Sequence, residues 1–75
     1  MPELPTITAA RLIRAPQRDG FFIHHTTGSH HVFKNPDRPA LRVVVPYHAG
    51  DMKRGTLRSV LRQANITVDQ LIDLL

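Results

Sequence analysis

The sequence predicts an α+β fold in which a three-stranded antiparallel sheet carries its helices on one face. Three observations lead there. Apolar residues follow helical spacing near both ends, three short β-branched or aromatic runs lie between them, and turn-forming residues mark the junctions. The chain has 75 residues and no cysteine, so it reads as one small domain held by packing alone, without internal repeats or linkers. A core this thin leaves room for a partner subunit to complete it.

The elements follow in order. Pro2 and Pro5 keep the first residues extended. Thr8 then caps a helix that includes Leu12 and Ile13 and stops at Gly20. Pro16 interrupts it, because its ring opposes the carbonyl four residues back and it has no N–H to donate, so the last turn should bend or end early. FFIHHT (21–26) and HHVFK (30–34) read as strands of a hairpin turning at Thr27-Gly28. NPDRPA (35–40) carries two prolines and connects to a third strand, LRVVVP (41–46). After Gly55 the period changes: Leu57, Val60, Leu61 and Ala64 share one helix face, with Arg58 and Arg62 on another. Asn65 suits a left-handed helix end, with Ile66 packing back on the helix. Thr67 to Gln70 matches a capping box for a last helix docked by Leu71, Ile72 and Leu75.

Ten Lys and Arg against six Asp and Glu give a formal charge of +4 and a pI near 10.8, which favours a polyanionic partner. No apolar run is long enough to cross a bilayer and the first residues lack a secretory signal, so the expectation is a soluble, cytoplasmic chain with no membrane partner.

Four of the five histidines fall in HHTTGSHH (24–31). A turn centred on Thr27-Gly28 sets His25 opposite His30 and His24 opposite His31, with Cβ atoms of opposed residues about 4.5–5.5 Å apart. Phe22 and Phe33 then share the face of His24 and His31, expected to be the core, while Ile23 and Val32 share the opener face of His25 and His30. Three readings compete. Strand histidines are often half-buried structural residues. A metal site lacks cysteine or a nearby carboxylate, and alternation sends neighbouring histidines to opposite faces. Acid–base catalysis suits imidazole, which can take a proton from a 2′-hydroxyl or give one to a leaving 5′-oxygen, with cations stabilising the phosphorane charge.

Gly20-Phe21, Gly28-Ser29-His30-His31, Val45-Pro46 with His48, and KRGTLRSVLRQA (53–64) together resemble the HicA family of toxins from bacterial and archaeal toxin–antitoxin pairs, from about Thr8 to Leu75. The resemblance implies a fold similar to the double-stranded-RNA-binding domain, α-β-β-β-α, with a possible extra C-terminal helix. It also implies an mRNA-cleaving endoribonuclease without a metal cofactor, inhibited in a hetero-oligomer by a HicB-like antitoxin. The family's catalytic histidine, directly after Gly-Ser, corresponds to His30. Gly28 would shape the turn that presents it and Ser29 would orient it through its hydroxyl, although both also read as ordinary turn residues.

Two departures from the family stand out. His25-Thr26-Thr27 replaces an Arg-Gln-x run, so a titratable ring stands in for a permanent cation; facing His30, His25 would act as its acid–base partner or supply charge below neutral pH. Pro16 occupies a position that usually holds a large apolar residue. Lys34, Arg38, Arg42, Lys53, Arg54, Arg58 and Arg62 are candidate phosphate contacts, each with a solvated face as its default. Lys34, Lys53, Arg54 and Arg58 are the RNA-binding candidates, Lys53 and Arg54 being favoured by their place at a helix start. His48 is expected to shape its loop, and Tyr47 is a lone ring for stacking on a base. The competing function is a non-catalytic RNA-binding or protein-interaction module of the same fold; nonspecific DNA binding, with no recognition-helix pattern, ranks third.

Overall fold

The computed structural model describes residues 3–75, so the expected extension at Pro2 lies outside the described residues. The Thr8 hydroxyl accepts the Arg11 N–H at 3.2 Å and caps α1 (Ala9–Leu12). Pro16 divides the helix rather than ending it: the helix breaks at Ile13 and resumes as α2 (Arg14–Arg18). That restart puts Pro16 at the third helical position, where an N–H would have no intrahelical partner and its absence is harmless.

The sheet has strands β1 (Phe22–Thr27), β2 (His30–Lys34) and β3 (Arg42–Pro46) in the order β1-β2-β3, antiparallel throughout. The hairpin register differs from the expectation. Thr27 pairs with His30, Thr26 with His31 and His25 with Val32, so the turn is Gly28-Ser29. Gly28 has φ +58 and Ser29 is not in the positive-φ region, the pattern of a type II′ turn with glycine first. A turn on Thr27-Gly28 of the favoured type I′ would force positive φ on Thr27, which its branched Cβ resists. A bulge between Ile23 and His25 then shifts the remaining pairs to Ile23–Phe33 and Phe22–Lys34.

All four helices belong to one side. Phe33, Val43 and Val45 face Leu12, Leu57, Val60, Leu61 and Leu71 in a single core, with Leu4 and Ile7 closing it from the N-terminal segment. That segment is tied down by the Met52 N–H, which donates to the Ile7 carbonyl at 2.9 Å. Phe22 and Ile23 remain 47% and 41% exposed, because the bulge displaces them on an edge strand, so Phe22 does not join the core with Phe33.

α3 (Arg54–Ala64) buries Leu57, Val60, Leu61 and Ala64, the expected stripe. It ends at left-handed Asn65, with the Ile66 N–H donating to the Leu61 carbonyl and the Asn65 N–H to the Arg62 carbonyl, a Schellman motif with Ile66 buried. α4 (Val68–Leu74) carries the capping box: the Thr67 N–H donates to Gln70 Oε1 at 2.8 Å and the Gln70 N–H to Thr67 Oγ1 at 3.1 Å. Leu71 is fully buried and Leu75 packs beside it, but Ile72 is 46% exposed, since one residue of rotation carries it off the docking stripe. None of these helices is long and apolar enough to cross a membrane.

Candidate active site

Alternation along β2 sends His30, Val32 and Lys34 to the sheet face opposite the helical core, and His31 and Phe33 towards the core. Through pairing, Thr27 and Pro46 flank His30, while Phe22 and Arg42 flank Lys34. His30 and Lys34 therefore share the face away from the core, four residues apart, or about 13 Å along a strand; that face is less open than expected, since Val32 between them is buried. Arg42 extends the same positive end of that face.

His30 is exposed and with Pro46 forms one wall of a cleft of about 370 Å³; α3, whose Gln63 bonds the free edge of β3 at the Val44 N–H, supplies the other wall from that edge with Gly55, Thr56, Ser59 and Gln63. The first turn of α3 belongs to this wall. Its N-cap, Lys53, is extended and makes no side-chain cap bond, so the helix start offers amide hydrogens and a partial positive charge unclaimed by a capping side chain. A second cleft, lined by His48, Asp51 and Lys53, adjoins the first at their shared Pro46 and Thr56. An imidazole, hydroxyls, a helix N-terminus and a lysine thus lie along one continuous surface, a set suited to a phosphodiester.

The other candidate residues fall elsewhere. His25 pairs with Val32 and lies diagonally from His30 on the same face rather than opposite it, because the turn is centred one residue later than the sequence suggests. The bulge sets the His24 and His25 rings side by side, with 2.8 Å between their Nδ1 atoms and ring centroids 5.1 Å apart. One ring must donate and the other accept, so the bond requires one protonated and one bare Nδ1. His31 stacks on Tyr47 at 4.4 Å on the core side, and its Nδ1 is buried without a hydrogen-bond partner. Neither ring of that stack is free on both faces for a base. Ser29 engages the sheet through its carbonyl, which accepts the Tyr47 N–H, and its hydroxyl has no partner among the described residues.

Among the cations, Lys53 lines the adjoining cleft and Arg54 is exposed at the start of α3. Arg58 and Arg62 line a separate groove towards α4, around the helix from Thr56 and Ser59. Arg38 is paired with Asp19 at 2.9 Å and lies outside the His30 cleft. No three His, Asp or Glu side chains come close enough together among the described residues to form a ligand set for a metal ion.

Sequence reasoning missed Ser59 and Gln63. Thr56, Ser59 and Gln63 form a polar stripe at i, i+3 and i+7 beside the apolar one, and that spacing is the only sequence signal they carry.

A family model described as HicA toxin of bacterial toxin-antitoxin matches residues 9–66. No curated protein was found to match the chain.

Proposed function

Because the chain belongs to the HicA toxin family of bacterial toxin–antitoxin systems, we propose that it is a metal-independent endoribonuclease that cleaves mRNA in the cytoplasm. A HicB-like antitoxin holds it inactive in a hetero-oligomer. The observation that carries the catalytic part is the exposed His30 imidazole across a cleft from the first turn of α3.

In this reading a phosphodiester enters the cleft between His30 and α3. The ribose 2′-oxygen bonds to phosphorus and the bond from phosphorus to the 5′-oxygen breaks. His30 acts as base on the 2′-hydroxyl proton or as acid towards the leaving 5′-oxygen, and the opposite proton transfer falls to water or to His25 Nε2, the ring nitrogen left free by the bond to His24. The amides at the start of α3, with Lys53 and Arg54, stabilise the charge gathering on the phosphate. Lys34 and Arg42 guide the strand along the face away from the core, and Arg58 is an outlying contact reached by RNA that passes α3. Gly28 and Ser29 act through the backbone by closing the turn that ends at His30.

The test is incubation of wild-type and His30→Ala protein with a defined mRNA in EDTA, with the fragments resolved by length. Cleavage by wild type alone is expected. RNA binding by both proteins without cleavage by either would instead favour a non-catalytic binding module.

A further inference from the structure

The amide chemistry on the α3 side of the cleft reaches back into the sheet. Val44 belongs to β3, an edge strand, and its N–H donates not to another strand but to Gln63 Oε1 at 2.8 Å. A backbone N–H can only meet the oxygen of that side-chain amide, so the Gln63 NH₂ group is turned the other way. There Nε2 donates to Ser59 Oγ at 3.1 Å, one helical turn back along α3. Ser59 is thereby an acceptor on its Gln63 side. Serine in a helix often donates to the carbonyl four residues back, but the Ser59 hydroxyl has no second partner among the described residues. Its hydrogen is left to point elsewhere, and Ser59 lines the same cleft as His30.

We propose that Ser59 donates its hydroxyl hydrogen to a non-bridging oxygen of the phosphodiester held against His30, and that Gln63, locked by the Val44 N–H, is the positioning residue that turns the hydroxyl that way. The proposal rests on the ribonuclease reading and adds a neutral donor to it. A preorganised donor aimed at a phosphate oxygen strengthens as charge builds there, so its effect falls mainly on the rate of the chemical step. It also explains why a glutamine occupies this place. A carboxylate could accept the Val44 N–H equally well, but it has no N–H to give Ser59 and would take the Ser59 hydrogen for itself.

The experiment measures kcat and KM for a defined RNA with wild type, Ser59→Ala, Ser59→Thr, Gln63→Glu and the Ser59→Ala/Gln63→Glu double variant, with melting temperatures and His30→Ala as the inactive reference. Ser59→Ala is expected to lower kcat about 10- to 100-fold with little change in KM or melting temperature, and Ser59→Thr to restore much of the loss. Gln63→Glu adds a negative charge that itself repels RNA, and the double variant separates the two effects. The kcat loss from Gln63→Glu should be at least fivefold larger with Ser59 present than with alanine in its place. Wild-type cleavage matched by Ser59→Ala overturns the Ser59 contact while leaving the ribonuclease reading intact. Equal losses from Gln63→Glu in both backgrounds overturn the positioning role. A wild-type protein that cleaves nothing overturns both readings together.

Discussion

Replacing Gly28 by alanine tests the turn that sets the hairpin register. Gly28 sits at φ +58, and a Cβ built there meets nothing within 4 Å, so the perturbation is confined to the backbone. Holding an L-residue at positive φ costs about 1–2 kcal/mol. Alanine also restricts the unfolded chain, which returns about 0.4–1 kcal/mol. The net loss is about 1 kcal/mol, equivalent to roughly 4–8 °C in melting temperature for a domain of this size. Gly28→Asn should lose less, since asparagine tolerates positive φ. Gly20→Ala should lose more, because φ is +98 there and its Cβ would also lie 3.2 Å from Asn35 Nδ2. Denaturant melts of the three variants supply the ranking. Cross-strand nuclear Overhauser contacts in the wild type supply the register: Thr27 with His30 and His25 with Val32 are expected across the strands. Gly28→Ala with undiminished stability, or His25 found directly opposite His30, would refute the turn and the site geometry built on it.

Other outcomes follow from the same packing. Phe33 is fully buried among the core side chains, and Phe33→Ala should cost about 3–5 kcal/mol by urea denaturation, a large share of the stability of a small domain. Gln63→Leu strands the Val44 N–H and should cost about 1–3 kcal/mol in the same assay, whereas Gln63→Glu, which keeps an acceptor for that N–H, should cost less. Arg38→Ala removes an ion pair to Asp19 that is 44% exposed on the arginine side, so stability should change by no more than about 1 kcal/mol and cleavage not at all. Nitrogen NMR of His24 and His25 should find one protonated and one bare Nδ1 in the bonded pair, and His24→Ala should abolish that asymmetry.

Much of the fold is legible in the chain because its signals are local. The capping box at Thr67 and Gln70, the left-handed stop at Asn65 and the apolar stripe of α3 are each built from steps of five positions or fewer, where backbone geometry fixes what meets what. The strand runs and the motif around His30 are legible for the same reason. At Pro16 the sequence predicts a last turn that bends or ends early; proline does interrupt the helix, but the break falls at Ile13, because where it falls depends on which amide the chain can leave unpaired.

By itself, then, the sequence determined the elements, their order and the family to which they belong. Tertiary structure alone decided which residues share the site. The φ of one glycine sets the turn and carries His25 off the position opposite His30, and the bulge at His24 brings the His24 and His25 rings together. The docking of α3 along β3 decided that Ser59 and Gln63 line the same cleft as His30 while Arg58 lines another. Such choices join residues tens of positions apart, where no local spacing reports which surfaces will meet.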